Sequence, residues 1–266
     1  MRGLSARIGF VLLGMCRRLP QRDRILGYAV RRVLGAELAH VGNGIVMAYR
    51  KGTADEWVLQ HSFENDIFFS AIPDYQPSPF DHILDVGAHM GDFTLLASTR
   101  VPHGRVIAVE ASAATFRLLQ ANVAINAVRN VVQLHCALAG SSGRAHLHLL
   151  DGPHNWAYST TFDFGEGSES VEAKSLEALF GENEVTDIDL AKFNCEGAEF
   201  EILLNAPSAV VRTMKRMLVL YHCHLVSGHS LEELIQYLQN CGFDTELKNE
   251  RDDGDNGWIV ARRNDM

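Results

Sequence analysis

The residues best suited to chemistry begin with Ile83-Leu84-Asp85-Val86-Gly87-Ala88-His89-Met90-Gly91-Asp92-Phe93-Thr94, which reads as a buried strand, a glycine turn and a helix start. Gly87 and Gly91 let the backbone approach a ligand closely and turn sharply into the helix, whose first N–H groups favour a ligand. A dinucleotide fingerprint needs G-x-G-x-x-G, but those positions hold Gly87, His89 and Asp92, which disfavours a nicotinamide cofactor. What remains is D-x-G-x-x-x-G. Its acid at the strand end suits a cofactor bearing a cation, such as the sulfonium and amino group of S-adenosylmethionine. One strand later, Val106-Ile107-Ala108-Val109-Glu110 ends in a carboxylate 23 residues after Gly87. That is the place for an acid accepting both hydroxyls of a ribose. The expected cofactor set is therefore Asp85, Gly87, Ala88, His89, Gly91 and Glu110, with Ala137 after the next strand and Asn194 further on. His89 contributes backbone contact.

These positions need a scaffold, and the chain supplies one by alternation. Short apolar strands are expected at 82–86, 105–110, 131–136, 188–193, 217–222 and 258–262. Helices fit 92–99, 113–126, 175–180, 199–204 and 230–240. Such alternation implies an α/β fold with a parallel sheet and helices on both faces, and ligands at the carboxyl ends of the strands. Before this core, 41–50 and 56–60 read as short strands or turns and 64–72 as a helix, broken by Pro73, Pro77 and Pro79. The expected organisation is a basic helical extension over 1–40, a lead-in over 41–79 and the main domain over 80–266. No internal repeat is evident. An acidic turn over 252–257 separates the two last strands.

The 266 residues, 47% hydrophobic and 21% charged, exclude a disordered chain and a polytopic membrane protein. A net charge of -9 argues against nucleic acid as a partner, because phosphate binding needs concentrated Lys and Arg. The charge is unevenly spread. Residues 1–35 hold eight Arg against Asp23, a net of +7 that leaves -16 on the remainder. Ile8 to Met15 is too short for a bilayer span, and Arg17 and Arg18 stand where a signal cleavage site belongs. The segment reads as a helix capping the domain or as an amphipathic helix on an anionic membrane. The five cysteines lack zinc spacing and read as reduced thiols. The expected location is the cytoplasm, with peripheral contact at the inner membrane face through residues 1–35 if that segment is the amphipathic helix.

The sequence resembles the FkbM family of methyltransferases that use S-adenosylmethionine. The glycine motif is the first block. Glu110-Ala111-Ser112, leading through Phe116 and Leu119 to Asn122 and Asn126, is similar to the family's acid-plus-asparagine segment. Val171 to Leu179 is similar to its V-x-V-x-T-L-D-x-L stretch. Lys192-Phe193-Asn194-Cys195-Glu196-Gly197-Ala198-Glu199 is similar to its K-I-D-V-E-G-A-E, and Leu218 to His224 resembles the fifth strand. The resemblance covers about residues 80–262. It implies the Rossmann-like class I methyltransferase fold with a mostly parallel seven-stranded sheet. It also implies O-methylation of hydroxyls on glycans or secondary metabolites. Asn194 stands where the family has Asp, keeping hydrogen bonding but losing charge and basicity. The acid near the fifth-strand end is replaced around Leu220 and Tyr221.

Methyl transfer to oxygen asks for alignment and for removal of the hydroxyl proton. Glu196, between a strand end and a helix start, reads as a substrate-orienting or base carboxylate, or as an acid serving free helix N–H groups. His222 and His224 lie two apart and are expected on one strand face. One of them serves as base or hydroxyl binder, unless both are structural or hold a metal with Cys195 or Cys223; the expected metal is none. The catalytic set is thus Glu196, His222, His224 and Asn194. His154, Trp156 and Tyr158 mix aromatic and polar groups in a loop suited to a sugar ring, and Lys192 could bind an acidic group. These four are the expected acceptor contacts. An N- or carboxyl-methyltransferase, or a non-catalytic scaffold that binds the cofactor, are the alternatives.

Overall fold

The structure is a computed structural model that describes residues 22–150, 152, 158–248 and 255–265. The apolar run Ile8 to Met15 and most of the basic segment lie outside the described residues. Helix α1 (Arg22–Leu34) buries Leu26 and Val30, then β1 (Glu37–His40) pairs antiparallel with β2 (Val46–Tyr49). The expected boundary at residue 40 therefore falls inside a hairpin. Helix α2 (Asp55–Leu59) runs into a π-helical turn over Gln60–Glu64. The helix expected over 64–72 is replaced by turns, because the helical segment begins nine residues earlier, at Asp55.

The core follows as β3 (His82–Val86), α3 (Asp92–Arg100), β4 (Arg105–Glu110), α4 (Ala113–Ile125) and β5 (Val131–His135). Strands β6 (Ala137–Leu138), β7 (Gly143–His148) and β8 (Ser168–Lys174) form a separate three-stranded sheet that the sequence reading did not anticipate. Then come α5 (Leu176–Glu182), β9 (Leu190–Phe193), α6 (Ala198–Leu204), α7 (Ser208–Val211), β10 (Arg216–His222), α8 (Leu231–Asn240), β11 (Phe243–Lys248) and β12 (Asn256–Arg263). The main sheet has seven strands in the order β11-β12-β10-β9-β3-β4-β5. The pairs from β10 through β9, β3 and β4 to β5 are parallel, while β12 runs against both of its neighbours. The sheet is the mostly parallel seven-stranded one that was expected.

Alternation along the strands distributes the core between two faces. Leu84, Val86, Ile107, Val109, Phe193 and Val219 pack with Phe200, Leu203, Leu234 and Leu238 from α6 and α8. Ile83, Val106, Leu190 and Leu218 turn the other way, against Phe93 and Leu96 of α3. Two asparagines one helical turn apart, Asn122 on α4 and Asn126 at its C-cap, attach the lead-in. Asn122 accepts from the Ala48 amide at 2.6 Å and donates to the Ala48 carbonyl at 3.0 Å. Asn126 does the same to Val46, at 2.9 and 2.7 Å. Each side chain pairs with β2 as a neighbouring strand would. No helix among the described residues is long and apolar enough to cross a membrane.

Candidate active site

Because their strands are parallel, the carboxyl ends of β3, β4, β9 and β10 meet at one edge of the sheet, where they border a cavity of about 870 Å³. That volume lies within the usual range for small-molecule sites, about 300–1,000 Å³. Its walls carry Gly87, His89, Glu110, Ala137, Tyr158, Asn194, Glu196, His222 and His224, all expected from the sequence.

The glycine turn is built by close backbone contact. Gly87 sits at φ +73, and a Cβ there would lie 1.9 Å from the Asn194 carbonyl oxygen, so no side chain fits between the two loops. Gly91, at φ +90, faces Leu119 of α4, where an added Cβ would lie 2.6 Å from Leu119 Cδ1. Gly91 and the buried Ala88 thus shape the turn from behind the cavity wall. The Glu110 carboxylate is held by two amides, His89 at 2.8 Å and Ser112 at 2.8 Å, and burial pushes its pKa up.

Two expected contacts, Asp85 and Lys192, are paired with each other. Asp85 is fully buried, and its carboxylate takes Lys192 Nζ at 2.9 Å and Thr94 Oγ1 at 2.6 Å. It does not face the cavity as an acid awaiting a cationic cofactor. Lys192, expected to bind an acidic acceptor group, is 3% exposed and also donates to the Gly87 carbonyl at 2.8 Å. Lys192 still borders the cavity, with its ammonium committed to Asp85 and to the Gly87 carbonyl. The pair braces the glycine turn.

At the β10 end, His222 is buried and its Nδ1 lies 2.9 Å from Glu199 Oε1. Glu199, fully buried, also accepts from the Gly197 amide at 3.1 and 3.2 Å. Nε2 of the same ring lies 3.6 Å from Glu196 Oε1, beyond hydrogen-bond range. Glu196 occupies the left-handed region at φ +51, and burial raises its pKa while His222 opposes the rise. The two histidines do not share a strand face. His222 ends β10 and His224 falls in the 3-10 turn Cys223–Leu225, yet their ring centroids are 6.2 Å apart. Among the described residues, no group of three His, Cys, Asp or Glu has the geometry to hold a metal ion.

The loop expected to face the acceptor is partly in view. Tyr158 lines the cavity, while His154 and Trp156 lie outside the described residues. Ser159 Oγ donates to the Glu196 carbonyl at 2.6 Å, so this loop seats the Glu196 turn. Asn194 Oδ1 and Thr160 Oγ1 are buried without a hydrogen-bond partner.

The sequence reading missed several residues. Glu199 could have been found three positions after Glu196, where both face back toward one helix start. Asp92 is buried, with its pKa pushed up by burial, and accepts from Ser62 Oγ at 2.6 Å. Trp57 and His61, stacked with centroids 3.7 Å apart, form cavity wall from the lead-in. No local signal marks these lead-in positions, because only the tertiary fold brings them to the cleft.

The sheet order and the cleft at its carboxyl edge are those of the class I methyltransferase fold. The family model for the methyltransferase FkbM domain matches residues 85–245, and the chain belongs to that family. A relative named Methyltransferase 1, from Beauveria bassiana, is 27% identical over 160 residues. The match covers 52% of this chain and 64% of that protein, less than two thirds of the relative's length. Among solved structures, the N-terminal domain of EvdMO1 with SAH bound has a TM-score of 0.54 at 12% identity. That likeness covers 90% of this chain and 96% of the other, and shows the fold. A methyltransferase FkbM from Methylobacillus flagellatus KT has a TM-score of 0.45 at 14% identity, covering 79% of this chain and 56% of that one. The expected family and fold stand with these findings.

Proposed function

We propose that the protein transfers a methyl group from S-adenosylmethionine to a hydroxyl oxygen of a glycan or secondary-metabolite acceptor. The observation that carries this reading is the buried Glu199–His222 pair at the cavity wall beside Glu196. The bound cofactor supplies a methyl group on a positively charged sulfur, open to in-line displacement. Everything else falls to the chain.

The residues fit that cofactor. Asn194 Oδ1, buried and unpartnered, is an acceptor suited to its amino group. The Glu110 carboxylate, oriented by two amides, suits the ribose hydroxyls. The bare Gly87 keeps the turn pressed onto the Asn194 loop. Asp85 and Lys192 act one layer below, through the Gly87 carbonyl.

For the acceptor, His222 is the base. Glu199 accepts from Nδ1–H, which fixes the tautomer and leaves the Nε2 lone pair toward Glu196 and the cavity. When Nε2 takes the hydroxyl proton, the Glu199 carboxylate stabilises the imidazolium. Glu196 and His224 orient the hydroxyl, and Tyr158 contacts the rest of the acceptor. The test is release of S-adenosylhomocysteine from the purified protein with pools of hydroxylated glycans and metabolites, followed by mass spectrometry of the product. A methyl ether is expected. Methylation at nitrogen or carboxyl would replace the hydroxyl reading, and cofactor binding without turnover on any pool would favour a scaffold.

We also assign the chain a main domain over 80–266, a lead-in before it and a basic extension, acting in the cytoplasm. The +7 of residues 1–35 supports peripheral contact with an anionic membrane. Because α1 buries Leu26 and Val30, the deletion that tests this removes residues 1–21 only. Loss of flotation with anionic liposomes is expected, and equal flotation of both forms would overturn the assignment.

A further inference from the structure

Arg50 and Asp55 sit in the lead-in, outside the cofactor motifs, and form the most enclosed ion pair of that segment. Asp55 is fully buried. Arg50 meets it with two prongs, Nε to Oδ2 at 2.9 Å and Nη2 to Oδ1 at 2.9 Å, and adds its own backbone amide to Oδ2 at 2.8 Å. Such a fork fixes the guanidinium plane as a lysine could not. Burial alone would raise the Asp55 pKa, but the bonds from His89 and Arg50 outweigh it and hold the carboxyl well below its ordinary range.

Beyond Asp55, the fixed fork also reaches two loops of the cavity wall. Nη1 donates to Thr115 Oγ1 at 3.2 Å, in the first turn of α4 after Glu110. Nη2 lies 3.1 Å from His89 Nε2, which is itself 3.3 Å from Asp55 Oδ1. His89 occupies the left-handed region at φ +51, uncommon for a residue with a Cβ, so something must retain it there. Its amide is one of the two that orient the Glu110 carboxylate. His89, Thr115 and Glu110 all border the cavity.

We infer that Arg50 and Asp55 are positioning residues for the cofactor site, acting through His89 and Thr115 to hold the glycine turn and the Glu110 loop in register. This rests on the reading that S-adenosylmethionine binds in the cavity. Neither residue touches the cofactor in this proposal; the larger part of their effect passes through the His89 ring, with Thr115 as the second contact.

The probe is S-adenosylhomocysteine, titrated calorimetrically into the full chain, into Asp55→Asn, into His89→Asn and into the double variant. Asn tolerates the left-handed backbone at position 89, and that variant leaves the Arg50–Asp55 pair whole. It therefore remains informative if Asp55→Asn folds poorly. Each single change is expected to weaken binding about tenfold, and the double change by little more than either, because both cut one path. Hydrogen exchange of the ligand-free chains supplies the second readout. Faster exchange over 87–92 and 110–116 is expected in Asp55→Asn, whereas a role confined to the lead-in would loosen 46–64 alone. Unchanged affinity in Asp55→Asn, or full additivity with His89→Asn, overturns the inference while leaving the cofactor reading intact. No binding by the parent chain overturns both.

Discussion

Replacing Glu199 by Gln separates chemistry from binding in this site. The carboxylate has three short approaches, 2.9 Å from His222 Nδ1 and 3.1 and 3.2 Å from the Gly197 amide. A glutamine keeps one oxygen, which the Gly197 amide can occupy, and turns its NH₂ toward His222. The ring then gains by placing its proton on Nε2, where the proposed mechanism needs the lone pair to receive the acceptor hydroxyl proton. A hydrogen bond to a charged group contributes about 1.5–3 kcal/mol. At about 1.4 kcal/mol per tenfold in rate, losing that support from the imidazolium lowers kcat by about 10- to 150-fold. Glu199 is fully buried, so the affinity for S-adenosylhomocysteine should stay within about twofold. The assay pairs initial rates of S-adenosylhomocysteine release, on an acceptor pool that supports the parent, with calorimetry on the same preparations. A rate close to the parent's would refute the tautomer argument. Equal losses in rate and cofactor affinity would show instead that Glu199 matters only by shaping the turn at Gly197.

Three further perturbations test the supporting structure. Gly87→Ala forces a Cβ to within 1.9 Å of the Asn194 carbonyl at φ +73, so it should cost about 2–4 kcal/mol by urea unfolding and abolish cofactor binding. Lys192→Met leaves the Asp85 carboxylate buried without its counter-ion. A loss of about 3–5 kcal/mol is expected, largely recovered by adding Asp85→Asn, whereas a parent-like unfolding midpoint with only the acceptor KM altered would restore Lys192 as a substrate ligand. Glu196→Gln probes pH. Burial raises the Glu196 pKa in the folded state, so its contribution is present below the unfolded value, about 4.3, and is lost as pH rises through the folded one. The variant should therefore melt like the parent near pH 4 and above it at pH 8, and a variant that melts lower at pH 8 contradicts the assignment.

Much of the scaffold was legible because burial on both faces makes each parallel strand an apolar run, as in Val106 to Val109 or Met217 to Leu220. The three-stranded sheet was not. Its longer strands, Gly143–His148 and Ser168–Lys174, bury only alternate positions at best and carry Arg144, His146, Glu169 and Glu172, so they read as polar loop. The helical segment from Asp55 was missed because Trp57, Val58 and Leu59 form a strand-like run. Gly87 and Glu110 could be placed at the cavity from spacing, since their positions depend on local backbone. The pairing of Lys192 with Asp85 was not legible, because its partner is 107 residues away and becomes a neighbour only through sheet register.

That register also explains why two acids in similar sequence settings have opposite fates. Asp85 is the next-to-last residue of β3 and Glu110 the last of β4. In the parallel ladder Asp85 stands opposite Ala108, and Val86 opposite Val109, which sets Glu110 level with Gly87, one step beyond the end of β3. Inside the sheet, Asp85 is covered by α3 and paired with the lysine that register brings beside it on β9. At the rim, Glu110 meets only backbone amides on its inner side and borders the cavity on the other. One residue of strand length thus decides which carboxylate can meet a ligand and which must work through Lys192 on the carbonyl of Gly87.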